Sequence, residues 1–141
     1  VKNLCLVFLI ALFYACQPSA EEQLEYVSGY WEIVQVNSHS GVSKDYRYNT
    51  TIDYIYLDNL NGFRKKLQPG INNQYKASND AEYFEVRIEN DSLNIYYRTP
   101  LDSWKETILT ANEKELKIIN ADQMVYIYQR YEPLELDIES P

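Results

Sequence analysis

The sequence predicts an all-β protein, an antiparallel up-and-down meander that closes into a small barrel of about eight strands. Three observations lead there. After Gly29, apolar and polar residues alternate in short runs, the pattern of half-buried strands. Turn-forming clusters such as Asp58-Asn59-Leu60-Asn61-Gly62, Asn90-Asp91 and Asn112-Glu113-Lys114 interrupt those runs, at roughly 8–12 residue intervals. No helical pattern is long enough to carry a parallel crossover, so neighbours in sequence become neighbours in the sheet. A smaller open sheet with one helix is the alternative, should the segment around Leu24 to Val27 extend.

Composition narrows the class. A chain of 141 residues, 45% hydrophobic, has room for one core. Its aromatic content rests on 14 tyrosines against 4 phenylalanines, a residue choice suited to strands with one dry and one wet side. A net charge of −8 argues against a nucleic-acid partner, which needs clustered cations.

The N-terminus reads as a leader. Lys2 and Asn3 precede the uncharged run Leu4 to Ala15, too short for the roughly 20 residues of a membrane-spanning helix but matched to a secretory h-region. The run ends at Ala15-Cys16, and Pro18 follows. A small residue before cysteine at this place resembles the bacterial lipoprotein cleavage box, although Phe13 and Tyr14 are bulkier than usual there. The resemblance implies that Cys16 becomes the lipidated N-terminus and anchors the protein to a membrane. Cys5 lies in the leader, so the mature chain has one cysteine and no internal disulfide. The expected division is a signal peptide over 1–15, a lipidated tether over 16–28, the barrel over 29–132 and an acidic tail over 133–141. The expected location is the envelope of a Gram-negative bacterium, at the outer membrane, since Gln17 is not an aspartate retention cue.

The strands follow in order. Glu21 to Val27 forms at most a short helical turn before Gly29. Tyr30 to Asn37 is the first strand, and Ser38 to Gly41 a loop. Thr50 to Leu57 places Ile52, Tyr54 and Tyr56 on one face, read as inward. Phe63 to Leu67 is short and ends at Pro69-Gly70; Gln74 to Ala77 is a further segment. Glu82 to Glu89 alternates cleanly, with Phe84, Val86 and Ile88 inward. Asn90-Asp91 turns it into Leu93 to Thr99, where Leu93, Ile95 and Tyr97 share a face. Trp104 to Thr110, Leu116 to Ile119 and Met124 to Tyr131 complete the meander.

Chemistry-bearing sets are sparse. The one histidine, His39, sits among serines and glycine. Neither a metal nor a cofactor is expected, and no catalytic group stands out, so the protein reads as a binder and not an enzyme. Two candidates remain for binding. Arg64-Lys65-Lys66 is the one basic cluster of an acidic chain, fit to receive an anion at a barrel mouth or a partner's acidic patch. The set Tyr54, Tyr56, Phe84 and Tyr97, with Arg64, would line the interior of a barrel, which either fills with side chains or holds one small ligand.

Gly29-Tyr30-Trp31 at the start of the first strand, with Arg130 near the end of the last, resembles the Gly-any-Trp signature and its packing arginine in lipocalins. In layout the chain is similar to lipocalin-like lipoproteins of Bacteroidetes-type bacteria. The resemblance implies that Gly29, Trp31 and Arg130 are structural, and that the protein binds a small apolar or amphipathic ligand without catalysis. The alternative is an envelope module that binds other proteins through its tyrosine-rich surface, with a filled barrel.

Overall fold

The computed structural model describes residues 18–133. The leader, Cys16 and the acidic tail beyond Pro133 lie outside the described residues. The chain enters through a one-turn helix, α1 (Ala20–Leu24). Ser19 caps it: the Ser19 hydroxyl accepts from the Glu22 N–H at 3.2 Å, and the Glu22 carboxylate accepts from the Ser19 N–H at 3.0 Å. This reciprocal cap satisfies two amides that a short helix leaves open.

Nine strands follow: β1 (Gly29–Asn37), β2 (Ser43–Asp45), β3 (Ile52–Asp58), β4 (Asn61–Pro69), β5 (Tyr75–Glu89), β6 (Ser92–Arg98), β7 (Ser103–Ala111), β8 (Glu115–Asn120) and β9 (Val125–Arg130). They pair antiparallel in the order β2-β1-β3-β4-β5-β6-β7-β8-β9, and β1 also pairs with β9. Eight strands therefore close a barrel, and β2 adds to the far half of β1 through Gln35–Asp45, Val36–Lys44 and Asn37–Ser43. The β1–β9 seam sets Trp31 opposite Arg130 and shifts register between Ile33 and Gln35.

Local sequence explains the hairpins. Asn90 and Asp91 both take positive φ (51° and 59°), the two-residue turn whose twist suits adjoining strands. Asn59, at φ 54°, serves the β3–β4 turn. Gly62 lets β4 approach closely, because a Cβ there would overlap the Tyr56 carbonyl and the Phe84 ring.

The core is lopsided along the barrel axis. At one end Ala20 and Val27, Trp31, Ile55, Val86, Leu93, Ile95, Ala111 and Leu116 form a continuous apolar cluster. Each Val, Ile or Leu side chain among them contributes about 1.5–3 kcal/mol by leaving water. The helix is part of this plug: Gln23 Oε1 accepts from the Ala111 N–H at 3.0 Å. The segment expected to be a tether over 16–28 thus supplies core residues from Ala20 onward, because the first barrel end needs an apolar lid that the strands do not provide.

Three further expectations are corrected. The face of β3 is reversed from Asp53 onward: Asp53 and Ile55 are buried inward with Leu57 packed behind them, while Tyr54 and Tyr56 point outward; Ile52, of the expected set, is buried. Asp53 is tolerated inside because Lys66 stands directly opposite it on β4. The two segments Gln74–Ala77 and Glu82–Glu89 are one strand, β5, broken in register where Ser78, Asn79 and Asp80 bulge against Lys66. Ile88, expected inside, is partly exposed at the strand's end.

Candidate functional site

Three places gather chemically capable side chains: the plugged end, the mid-barrel layer and the outer wall over β1 and β3–β7.

At the plugged end Arg130 lies over Trp31, its guanidinium carbon 3.7 Å from the ring centroid. It donates to three backbone carbonyls, Ser28 at 2.8 Å, Tyr26 at 2.9 Å and Glu113 at 3.2 Å. Trp31 Nε1 donates to the Val27 carbonyl at 2.9 Å. Gly29 has φ +133°, and a Cβ on it would overlap Arg130 Nη1. The trio is thus one clasp that ties helix, first strand and last strand together. All three guanidinium nitrogens and the indole N–H in it donate to backbone carbonyls. Burial lowers the Arg130 pKa, its three hydrogen bonds going to neutral carbonyls.

The mid-barrel layer is charged. Arg64 projects inward from β4 and bridges Glu82 (Nε to Oε2, 2.8 Å) and Glu106 (Nη1 to Oε2, 3.2 Å). Its guanidinium stacks 4.7 Å from the Tyr97 ring, and Trp104 lies parallel to that ring at 4.7 Å. Phe84 meets Tyr97 edge-on at 5.4 Å. Burial by itself lowers the Arg64 pKa, but Tyr97, Glu106, Tyr128 and Glu82 outweigh it and raise it. Burial pushes the Tyr97 and Tyr128 phenols well above their usual range. The Tyr97 hydroxyl feels the Glu106 carboxylate but makes no hydrogen bond of good geometry among the described residues. Below this layer, Lys66 reaches Asp53 at 2.7 Å.

The basic triplet is therefore not one surface. Arg64 is spent inside and Lys66 on Asp53, so neither is free to receive an anion at a mouth. Of the expected pocket set, Phe84, Tyr97 and Arg64 meet inside the barrel, while Tyr54 and Tyr56 stand on the opposite face of the wall. His39 sits exposed in a turn between β1 and β2. Among the described residues no group of three or more metal-ligating side chains converges.

The outer wall carries a feature that sequence reading anticipated only as a tyrosine-rich surface. Tyr75, Tyr30, Tyr54, Phe63 and Tyr83 follow one another ring to ring, at 5.2, 4.9, 6.0 and 6.0 Å, and Tyr56 stacks on Phe63 at 5.5 Å. The stripe crosses β1, β3, β4 and β5. Strand register builds it: Tyr30 pairs with Tyr54, Tyr56 with Phe63, and Phe63 with Tyr83. Tyr75 joins it from the tip of the β4–β5 hairpin, which folds past the bulge so that Pro69, Gly70 and Tyr75 lie beside Tyr131. Cross-strand aromatic pairs stabilise by about 0.5–1.5 kcal/mol each. Yet Tyr30, Tyr56 and Tyr83 keep 37%, 44% and 63% of their surface in water. Side-chain alternation on Tyr83 against Phe84 was visible beforehand; the phase of β3 hid the rest.

Beside Tyr83 an outer groove of about 630 Å³ runs across β5, β6 and β7. Glu85, Arg87, Tyr96, Arg98 and Lys105 wall it. Arg87 grips Glu85 with two hydrogen bonds, 3.0 and 3.2 Å, and holds its carboxyl below the ordinary range.

The family model of the lipocalin-like domain matches residues 27–118. Among solved structures, the chain is similar to a lipocalin-like protein from Bacteroides uniformis and to an uncharacterized protein from Bacteroides eggerthii. Each is 8% identical, with a TM-score of 0.47, over 74% of this chain and 98% of the other. No curated protein matches.

Proposed function

The chain belongs to the lipocalin-like domain family, and from that premise we propose that it is a non-catalytic binding module working through its outer wall. The barrel is the scaffold, and the aromatic stripe from Tyr75 to Tyr83 is the binding face. Cys16 holds the module at the bacterial envelope, a reading supported by the leader from Lys2 to Ala15 and the small residue before the cysteine.

The observation that carries the reading is the stripe itself. Six outward rings in mutual contact, three of them with more than a third of their surface in water, form an extended and rigid apolar face. Tyrosine supplies such contact at low entropic cost, since it has two side-chain torsions to fix and a hydroxyl that tolerates water. A ligand on the barrel axis, by contrast, would have to displace Arg64 from Glu82 and Glu106, and unpairing a buried ion costs about 3–5 kcal/mol.

A second reading, a small apolar or amphipathic ligand inside the barrel, rests on the half-buried Trp104 ring stacked on Tyr97. One pair of measurements separates the two. Native mass spectrometry of the purified protein should give the apo mass. Binding of soluble envelope polymers should weaken at least about tenfold in Tyr56→Ala/Tyr83→Ala, with melting little changed, because both rings are exposed. A co-purified molecule that is lost from Trp104→Ala but retained by the tyrosine variant would move the site into the barrel.

A further inference from the structure

We infer that the groove across β5–β7 binds the acidic sugar ring of a saccharide chain, Tyr83 being the ring that joins it to the aromatic stripe. The inference rests on the outer-wall reading above and adds the ligand's chemistry to it.

Charge gives the first argument. The chain as a whole carries −8, yet the groove is walled by Arg87, Arg98 and Lys105 against the single carboxylate of Glu85. Glu85 is taken by Arg87. Arg98 and Lys105 form no ion pair with the described residues, and both are exposed. Glu89, which accepts from the Tyr96 hydroxyl at 2.7 Å, is a second carboxylate within their field; three cations against two carboxylates still leave this concavity of an acidic protein net positive, which favours an anionic occupant.

Their spacing says which kind. Arg98 pairs across the sheet with Ser103, and Tyr96 with Lys105. The two cations are therefore diagonal neighbours, with a separation of ~7–8 Å at the base of their side chains. Extended outward, the two side chains can each take a carboxylate carried on one ring or on successive rings, and the exposed flat ring beside them points to a sugar rather than a bare phosphate. Tyr83, 63% exposed, offers a flat face for the apolar side of a sugar. Tyr96 is already capped by Arg87 at 4.6 Å and Lys105 at 5.6 Å, so it holds the cations upright. Asn61 and Ser103 add an amide and a hydroxyl at the rim. An acidic peptide fits less well, because β5, β6 and β7 are each paired on both sides and leave no edge for backbone addition.

The test is calorimetric titration of the full chain in detergent at low ionic strength with trigalacturonate, maltotriose and sodium sulfate. Trigalacturonate should bind, weaken with added salt, and bind at least about tenfold more tightly than maltotriose or sulfate. Arg98→Gln/Lys105→Gln should lose about tenfold or more of that affinity with an unchanged melting temperature. Equal affinity for maltotriose, equal affinity for sulfate, no binding of trigalacturonate, or a double variant that binds like the parent would each overturn the inference. The stripe reading fails separately: it falls if Tyr54→Ala and Tyr56→Ala leave every saccharide and envelope polymer bound as before.

Discussion

Arg130 and Arg64 each stack on a ring inside one small barrel, and their partners set them apart. Arg130 covers Trp31 and gives its hydrogens to the carbonyls of Tyr26, Ser28 and Glu113. Arg64 covers Tyr97 and gives its hydrogens to the carboxylates of Glu82 and Glu106. Neutral acceptors satisfy a guanidinium's geometry but do not repay its lost hydration, so the Arg130 pKa falls. Carboxylates and phenols do repay it, so the Arg64 pKa rises. One arginine is a mechanical clasp made from backbone. The other is an electrostatic strut whose strength depends on the ionisation of its neighbours.

Breaking the clasp should have the largest effect. Trp31→Ala removes a fully buried indole and the surface Arg130 rests on, and should cost about 3–5 kcal/mol in urea unfolding. If a fully stable Trp31→Ala protein instead lost binding, the clasp would have to be reassigned to the site. Breaking the strut should follow closely but differ in kind. Arg64→Met leaves Glu106 buried without a cation and should cost about 3 kcal/mol, whereas adding Glu106→Leu should recover most of that loss. A double variant as unstable as the single one would mean that Arg64 acts through packing alone.

The smallest effect is a pH signature to which the strut layer contributes through its buried phenols. Burial raises the Tyr97 and Tyr128 pKa values above their ordinary 10.0, so the fold favours the protonated phenols. Their contribution is complete below about pH 10 and is lost as pH rises beyond it, because only the unfolded chain then releases the protons. Denaturant midpoints should therefore drop above pH 10, and Tyr97→Phe should flatten the drop. At pH 7 the same variant should change stability by less than about 1 kcal/mol, since the hydroxyl removed makes no hydrogen bond of good geometry. An unaltered alkaline profile would show that Tyr97 is not ionised on unfolding in that range.

What could be read from the sequence follows the same division. The clasp was legible because its parts have distinctive chemistry: a glycine before a tryptophan on the first strand, and an arginine on the strand that must lie beside it once a meander closes. The turn at Asn90-Asp91 and the inward set of Phe84, Val86, Leu93, Ile95 and Tyr97 were legible from local rules. The face of β3 was not. Alternation leaves two phases, and the more aromatic one looks like core until Lys66 is known to stand opposite Asp53. Arg64 was hidden for a similar reason, since its partners come from β5 and β7, 18 and 42 positions away. The stripe depended on both errors. Once β3 turns over, Tyr54 and Tyr56 leave the interior and bridge Tyr30 to Phe63. The bulge at Ser78 to Asp80 that brings Tyr75 to them leaves no local mark. Likewise, α1 looked like tether because a single turn of helix has little periodicity to show.

With an anchor at Cys16, the closing seam would set which way the module stands. Tyr131 donates its N–H to the Tyr30 carbonyl at 2.9 Å, so the last strand ends where the first begins. Pro18 lies close by, with Tyr26 and the turn from Asn112 to Lys114. Cys16 precedes Pro18 by two residues, a leash of at most ~7 Å at the full extension of about 3.6 Å per residue. A chain anchored at Cys16 would therefore stand plug-down on its membrane like a post in a socket. Its opposite loops would be carried to the greatest height, and the stripe would rise along its flank. A C-terminal reporter fused behind Pro133 would then sit near the lipid, and a reporter inserted in the loop around His39 would sit far from it.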